Sequence, residues 1–283
     1  MMPVPLARIM VEPLVRAALL EDLGRAGDLT TDAIVPAGLP ARAAMVARET
    51  GVVAGLDLAK LAFELIDPNI AVQVEIDDGT TVTTGGVIAR VSGPARGILM
   101  AERTALNFLG HLSGIASATA SIVAAVRGTK AKIVCTRKTT PGLRAVEKYA
   151  VRAGGGANHR LGLDDAVLIK DNHIAIAGGI AEALRRARAA AGHLVKIEVE
   201  IDNLDQLKEA LGEGADAVLL DNMSVETLAK AVAIVDGRAM TEASGRVTPE
   251  SAPAIAAAGV DLISIGWLTH SAPVLDIGLD FED

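Results

Sequence analysis

Arg137, Lys138, Arg144, Lys148, Arg152, His159, Arg160 and Lys170 crowd into the segment from Cys135 to Lys170 of a chain whose formal net charge is -8. Arg137-Lys138 closes an aliphatic run at Thr139-Thr140-Pro141-Gly142, Lys170 closes the run that starts at Ala166, and His159-Arg160 follows Gly154-Gly155-Gly156. Cations at strand ends stand on a rigid base. There a guanidinium gives planar, bidentate contact to carboxylate or phosphate, and an ammonium acts as a compact point charge. The pattern implies a substrate with several fixed negative charges. Arg144, Lys148 and Arg152, spaced along a predicted helix, read equally well as solvated surface charge.

Two carboxylates oppose these cations: Glu200 ends the run KIEVE and Asp221 ends AVLLD. Beside a polyphosphate, such a pair holds magnesium directly or through water; the simpler alternative is that they pair with Lys170 and brace the scaffold. Ser244-Gly245 and Ser264-Ile265-Gly266 offer hydroxyls and backbone N–H groups just before predicted helices, a combination that cradles phosphate. No His/Cys spacing suggests zinc, and neither a Ser-His-Asp order nor a P-loop is visible.

The elements that must position these groups follow from hydrophobic pattern. From about Lys130 short aliphatic runs alternate with helical segments, the mark of a parallel α/β sheet or barrel whose site forms at the C-terminal strand ends. The runs are Ala166 to Lys170, Lys196 to Glu200, Ala217 to Asp221, Ala239 to Ser244 and Leu262 to Gly266. Ser224 is a candidate N-cap for a helix through Ile234. Thr248 with Pro249 reads as N-cap and first turn of another helix, closed by Gly259. The first part reads as a small α+β module. Glu12 to Leu23 forms an amphipathic helix, a strand-rich segment starts at Ala41, Val72, Val74 and Ile76 alternate with polar residues ahead of a turn at Asp78-Gly79, and Val87 to Val91 answers beyond Gly85-Gly86.

Composition narrows the class. With 283 residues, 51% of them hydrophobic and only 2% aromatic, the chain can build an aliphatic core of helices on a parallel sheet. The net charge of -8 argues against nucleic acid and anionic lipid as partners. Cys135 is the sole cysteine, so an internal disulfide is excluded, which suits a reducing cytoplasm; a packed thiol is expected. No secretory signal is read at the N-terminus. Thr104 to Val126 is uncharged and long enough to cross a bilayer, but Asn107, His111, Ser113, Ser117, Thr119 and Ser121 interrupt it, and it is read as a buried helix.

The string TRKTTPGLRAVEKYAVRAGGGANHRLGLDDAVLIKDNHI, Thr136 to Ile174, closely resembles the signature of quinolinate phosphoribosyltransferases. The likeness continues through EVEIDNLDQL (Glu198 to Leu207), AVLLDNM (Ala217 to Met223), EASG (Glu242 to Gly245) and ISIGWLTHSAPVLDIGLD (Ile263 to Asp280). Upstream, GDLTTDAIV (Gly27 to Val35) and ERTALNFLGHLSGIA (Glu102 to Ala116) extend it over nearly the whole chain. The resemblance implies an α/β sandwich over residues 1–115, completed by 271–283, and an open, TIM-like α/β barrel of the type II phosphoribosyltransferase kind over 116–270.

It further implies transfer of the phosphoribosyl group of phosphoribosyl pyrophosphate to quinolinate with decarboxylation, in de novo NAD biosynthesis, with magnesium as cofactor. Arg103, Arg137, His159 and Arg160 correspond to quinolinate ligands, Arg103 reaching across the interface of a homodimer or larger homo-oligomer. Thr136, Lys138 and Lys170 belong with the substrates, Glu200 and Asp221 with the ribose and magnesium. Ser244, Gly245 and Arg246 match one phosphate loop and Ser264, Ile265 and Gly266 the other; Lys138, Lys170, Glu200 and Asp221 are the expected catalytic groups. Two positions depart from the common pattern: Cys135 stands where many relatives have Asp, and Arg246 where many have Gly or Asn. Rival readings are a paralogue linked to molybdenum transport, a non-catalytic anion-binding barrel, and a Schiff-base enzyme using Lys170.

Overall fold

The computed structural model describes residues 4–282. In chain order, α1 (Arg8–Leu23), α2 (Leu29–Ile34), β1 (Pro40–Ala47), β2 (Gly51–Val52), α3 (Leu56–Ile66), β3 (Ala71–Val74), β4 (Thr81–Val82) and β5 (Val87–Pro94) lead into the long α4 (Ala95–Ala125). Then come β6 (Lys132–Val134), α5 (Arg144–Ala153), β7 (Val167–Ile169), α6 (Asp171–Ala177), α7 (Ile180–Ala190), β8 (Ile197–Ile201), α8 (Leu204–Gly212) and β9 (Ala217–Asp221). The chain ends with α9 (Val225–Val235), β10 (Met240–Ser244), α10 (Ala252–Ala257), β11 (Leu262–Ser264), α11 (Trp267–His270) and β12 (Ile277–Glu282).

Packing divides the chain into two compact units, one of Met1–Ala120, Thr139–Gly155 and Leu268–Asp283, the other of Ser121–Lys138 and Gly156–Trp267. In this grouping Thr139–Gly155, with α5, joins the first unit. The reason is close packing of α5 on α4. A Cβ at Gly154 would lie 2.3 Å from the Ala116 carbonyl oxygen, so only glycine lets the backbones meet.

In the first unit an antiparallel sheet runs β12-β1-β5-β3, with Ala44 of the central β1 facing Asp280 on one side and Arg90 on the other. The C-terminal strand thus completes a sheet begun some 230 residues earlier in the chain, a distance set by the Ala44–Asp280 pairing. Met45, Ile88 and Val91 of this sheet are fully buried, as are Leu58, Leu61 and Phe63 of α3, whose apolar positions recur at helical spacing. Val72 and Val74 alternate with exposed neighbours as expected, yet are only half-buried.

The helix α4 is long and apolar enough to cross a membrane, but half of its most apolar window is buried inside the protein. Its polar residues explain themselves locally: Ser113 Oγ accepts the Ala54 N–H at 2.9 Å, and Ser117 Oγ accepts the Val52 N–H at 2.7 Å. These hydroxyls satisfy backbone groups around the short strand β2, which a wholly apolar helix would leave buried and unpaired.

The second unit holds six parallel strands in the order β6-β11-β10-β9-β8-β7. β6 and β7 lie at the two edges, so the sheet forms the open α/β barrel expected. Helices follow β7, β8, β9 and β10 on the pattern of a parallel sheet. Ser224 caps α9 through the Thr227 N–H at 3.2 Å, as its position promised. The Thr248-Pro249 cap is corrected: α10 starts only at Ala252, because Thr248 and Ser251 bond to each other in a turn and the proline inside the helix is Pro253.

Candidate active site

Parallel strands in register carry their side chains in layers, and alternation sends every second residue to the same face. Glu200 of β8, Leu219 of β9 and Glu242 of β10 are successive partners across the sheet. Two residues further along, Asp221 pairs with Ser244. Their shared orientation opens a cavity of about 340 Å³ lined by Thr136, Arg137, Lys138, His159, Arg160, Leu168, Lys170, Glu200, Leu219, Asp221, Glu242, Ser244 and Ser264. The strand-end cations and both carboxylates predicted from sequence therefore meet in one place.

The cations come from three points of the chain. Thr136, Arg137 and Lys138 follow β6, and the Thr136 hydroxyl accepts the Lys138 N–H at 3.0 Å, which turns the backbone at the strand end. Arg160 donates to the Ala166 carbonyl at 3.1 Å, anchoring its guanidinium near β7. Burial and the adjacent Arg137 charge both lower the proton affinity of Arg160, while Asp165 and Glu198 partly offset them. Two arginines repelling each other in a half-buried site favour a bound dianion. Lys170 follows β7 and is exposed at the rim.

The carboxylates show the complementary imbalance. Glu200 has its proton affinity raised, first by burial and next by Asp221, with Lys170 opposing. Two partly buried carboxylates that repel each other are a donor set that a hard divalent cation would relieve, and magnesium in such sites takes one or two carboxylates plus phosphate oxygens. Asp221 is held by the Asn222 side-chain amide, which donates at 2.5 Å. Asn222 has a positive φ of 50° and is held against Gly245. At φ 108° Gly245 suits no other residue, and a Cβ there would fall 2.2 Å from Asn222 Oδ1.

The phosphate loops differ from expectation in part. Ser244 and Ser264 line the cavity, but Gly245, Arg246, Ile265 and Gly266 do not. The Ile265 N–H is already used by the Val134 carbonyl at 3.0 Å, so it is no phosphate donor. No helix follows Gly245 directly; α10 begins at Ala252. Arg246 has φ 45°, the left-handed region that glycine and asparagine tolerate best. Cys135 is buried, as expected of a packed thiol, with its Sγ 3.4 Å from Asn158 Oδ1.

Arg103 is not part of this cavity. It is exposed on α4 in the first unit, beside a separate cavity of about 300 Å³ lined also by Glu21, Asp22, Asn107 and His111. Of the basic helix stripe, Lys148 is fully buried rather than solvated. Glu147, next to it, accepts the Thr140 N–H at 3.1 Å and contacts His111 Nε2 at 3.0 Å.

Sequence reasoning gave no role to Glu198, Glu242 or Asn222. His159 Nε2 lies 2.9 Å from Glu198 Oε2 and 3.4 Å from Glu242 Oε2, forming a buried triad at the base of the site. One signal was present in KIEVE: Glu198 and Glu200, two apart on a strand, must share a face. Glu242 gave no such signal, because its neighbours on β8 and β11 are set by topology alone.

Comparison with known proteins identifies the family. The family model for the N-terminal domain of quinolinate phosphoribosyl transferase matches residues 28–113, and that for the C-terminal domain matches 115–280. The chain belongs to the quinolinate phosphoribosyltransferase family. A Mycobacterium leprae member named nicotinate-nucleotide pyrophosphorylase (carboxylating) is 50% identical over 271 residues, covering 94% of this chain and 95% of that one. A Bacillus subtilis protein named as a probable enzyme of the same kind is 46% identical, with 96% and 93% covered. The solved nicotinate-nucleotide pyrophosphorylase of Francisella tularensis superposes with a TM-score of 0.94 at 40% identity, covering 98% of each chain. Human nicotinic acid phosphoribosyltransferase, at 13% identity and TM-score 0.65, shares the fold alone.

Proposed function

We propose that the strand-end cavity of the barrel is the site at which this quinolinate phosphoribosyltransferase performs its reaction. The enzyme transfers the phosphoribosyl group of phosphoribosyl pyrophosphate to quinolinate with decarboxylation, giving nicotinate mononucleotide, carbon dioxide and pyrophosphate in NAD biosynthesis. The observation that carries the assignment of the site is the convergence of Arg137, Lys138, Arg160 and Lys170 with Glu200 and Asp221 around one cavity of about 340 Å³.

The residues divide the work by charge. Arg137 and Arg160 bind and orient the quinolinate dicarboxylate, with His159 beside them, so that the ring nitrogen faces C1 of the ribose. The nitrogen forms its bond to C1 as the C1–O bond to pyrophosphate breaks, and the electron pair leaves with pyrophosphate. Lys138 and Lys170 stabilise the departing negative charge, and Ser244 and Ser264 are placed to hold phosphate oxygens. Glu200 and Asp221 face the positive charge that develops on the ribose, a preorganised role needing no proton transfer. The new pyridinium then accepts the pair left at C2 when carbon dioxide departs, and a proton completes the product.

Glu200 and Asp221 would also hold a magnesium ion, which supplies charge neutralisation to pyrophosphate. Burial and, after it, the Asp221 charge raise the proton affinity of Glu200, an imbalance that supports this. Arg103 completes the quinolinate subsite from the neighbouring protomer of a homodimer or larger homo-oligomer; its exposure on α4, outside the strand-end cavity, supports that role. Action in the cytoplasm fits a chain with a single cysteine, although plant relatives carry chloroplastic or mitochondrial names. The test is an assay with quinolinate, phosphoribosyl pyrophosphate and magnesium. Equal yields of nicotinate mononucleotide and carbon dioxide are expected, with none from nicotinate, and loss of both in Lys138→Ala protein assigns the cavity. Full activity in that variant would place the reaction elsewhere.

A further inference from the structure

Below the cations lies a buried acid that the transfer mechanism leaves unused. Glu242 of β10 is 1% exposed, and the polar groups beside its buried carboxylate are the Ser264 hydroxyl and His159 Nε2. Glu198 of β8 is 8% exposed. Both acids approach a single atom, Nε2 of His159, at 3.4 and 2.9 Å respectively. The other ring nitrogen, Nδ1, accepts the backbone N–H of Arg160 at 2.8 Å. An acceptor nitrogen carries no proton, so the ring is the Nε2–H tautomer and donates to Glu198. Both ring nitrogens are thus committed to the protein, and what His159 presents to the cavity is fixed by the acids behind it.

We propose that Glu242 is a positioning residue for the quinolinate subsite, acting with Glu198 on Nε2 to fix the ring plane and tautomer of His159. The inference rests on quinolinate binding in this cavity. Two acids around one N–H cannot both ionise without strong repulsion, so one keeps its proton. That one is Glu242. Burial first, and the Glu198 charge second, push its carboxyl up to about 7, with a hydrogen bond from the Ser264 hydroxyl opposing.

The groups that face Glu242 are few: Glu198 from β8, His159 from the loop ahead of β7, and from β11 the Ser264 hydroxyl, whose hydrogen bond favours the ionised carboxylate. Beyond His159 stand Arg160 and Arg137, the former coupled to Glu198. A neutral Glu242 leaves the positive field of those arginines to the substrate. Ionised, it adds negative charge below a site built for a dianion and pulls the shared Nε2 proton away from Glu198.

The consequence is a pH-dependent affinity confined to one substrate. In the wild-type enzyme KM for quinolinate rises above pH 7, by at most about tenfold per pH unit, while KM for phosphoribosyl pyrophosphate does not follow. The experiment measures both constants from pH 6 to 8.5 for wild type, Glu242→Gln and Glu242→Leu, with ¹⁵N imidazole NMR of His159 assigned by its own substitution. Glu242→Gln keeps shape without an ionisable group and is expected to flatten the rise in quinolinate KM. Glu242→Leu removes the contact and is expected to raise quinolinate KM at least fivefold at every pH.

An unchanged pH rise in Glu242→Gln, equal changes in both KM values, or an Nδ1–H signal from wild-type His159 would each overturn the proposal. If Glu242→Leu does not fold, the Gln profile and the wild-type NMR signal still decide it. A wild-type enzyme that turns over no quinolinate would sink the reaction assignment instead, and the tautomer measurement would then judge the His159 arrangement by itself.

Discussion

The buried acid makes a stability prediction that needs no substrate. Glu242 is raised from an ordinary 4.5 to about 7 on folding, so the native state binds its proton more tightly than the unfolded chain does. The sign follows from linkage. The stability contributed by this proton is fully present below 4.5, falls as pH climbs, and is gone once pH passes the folded value of about 7. At about 1.36 kcal/mol per pKa unit the whole effect is on the order of 3 kcal/mol. Between pH 5.5 and 8.5, a range that avoids the acid region, about 2 kcal/mol of it remains to be lost.

Glu242→Gln removes the titration while keeping volume. The amide has its own cost if it finds no partner, about 1 to 3 kcal/mol, but that cost does not vary with pH. The difference between wild type and variant is therefore expected to shift by about 2 kcal/mol toward the variant from pH 5.5 to 8.5. Trp267 is the only tryptophan, and its Nε1 donates to the Val247 carbonyl at 2.9 Å within the barrel unit. Urea unfolding followed by its fluorescence thus reads the right unit. A constant difference across the range would refute the claim that Glu242 is held protonated by burial and by Glu198.

Other outcomes follow from single contacts. Lys138→Ala or Lys170→Ala is expected to lower kcat/KM at least tenfold with the circular dichroism unchanged, since each loss of about 1.36 kcal/mol of transition-state stabilisation is a factor of ten; near-normal kinetics would exclude that lysine. Gly245→Ala forces a Cβ within 2.2 Å of Asn222 Oδ1 and so displaces the amide that holds Asp221. Its KM for phosphoribosyl pyrophosphate should rise more than that for quinolinate, and equal effects would argue against an Asp221 role. Arg246→Gly relieves a side chain held at φ 45° and should stabilise the barrel by about 1 kcal/mol in the same urea assay. Mixing Arg103→Ala with Lys138→Ala protomers should restore about a quarter of wild-type activity if each dimer site draws one arginine from its neighbour; no recovery after proven subunit exchange would remove Arg103 from the shared site.

Much of the barrel was legible because its signals are local. Runs such as AVLIK and AVLLD are short, aliphatic and end in polar groups, and the observed strands Val167–Ile169 and Ala217–Asp221 lie within them. The site cations were legible for the same reason: a strand end is a place that sequence can mark. Helix starts were less so. Thr248-Pro249 has good cap chemistry, but the Ser251 hydroxyl captures the Thr248 N–H at 2.9 Å and holds the turn open. Lys148 shows the limit most sharply, since a lysine on a helix with polar neighbours reads as surface, whereas the packing of α5 buries it.

The sequence by itself determined the order of strands and helices, the polar groups at the strand ends and the strand face shared by Glu198 and Glu200, because these depend on period and on neighbours a few residues away. Only the tertiary structure decided that β10 lies between β9 and β11, which carries Glu242 into a buried position beside Glu198 and His159. Its proton affinity and the tautomer of His159 follow from that placement, since desolvation and the field of another carboxylate belong to the folded surroundings and not to any stretch of chain.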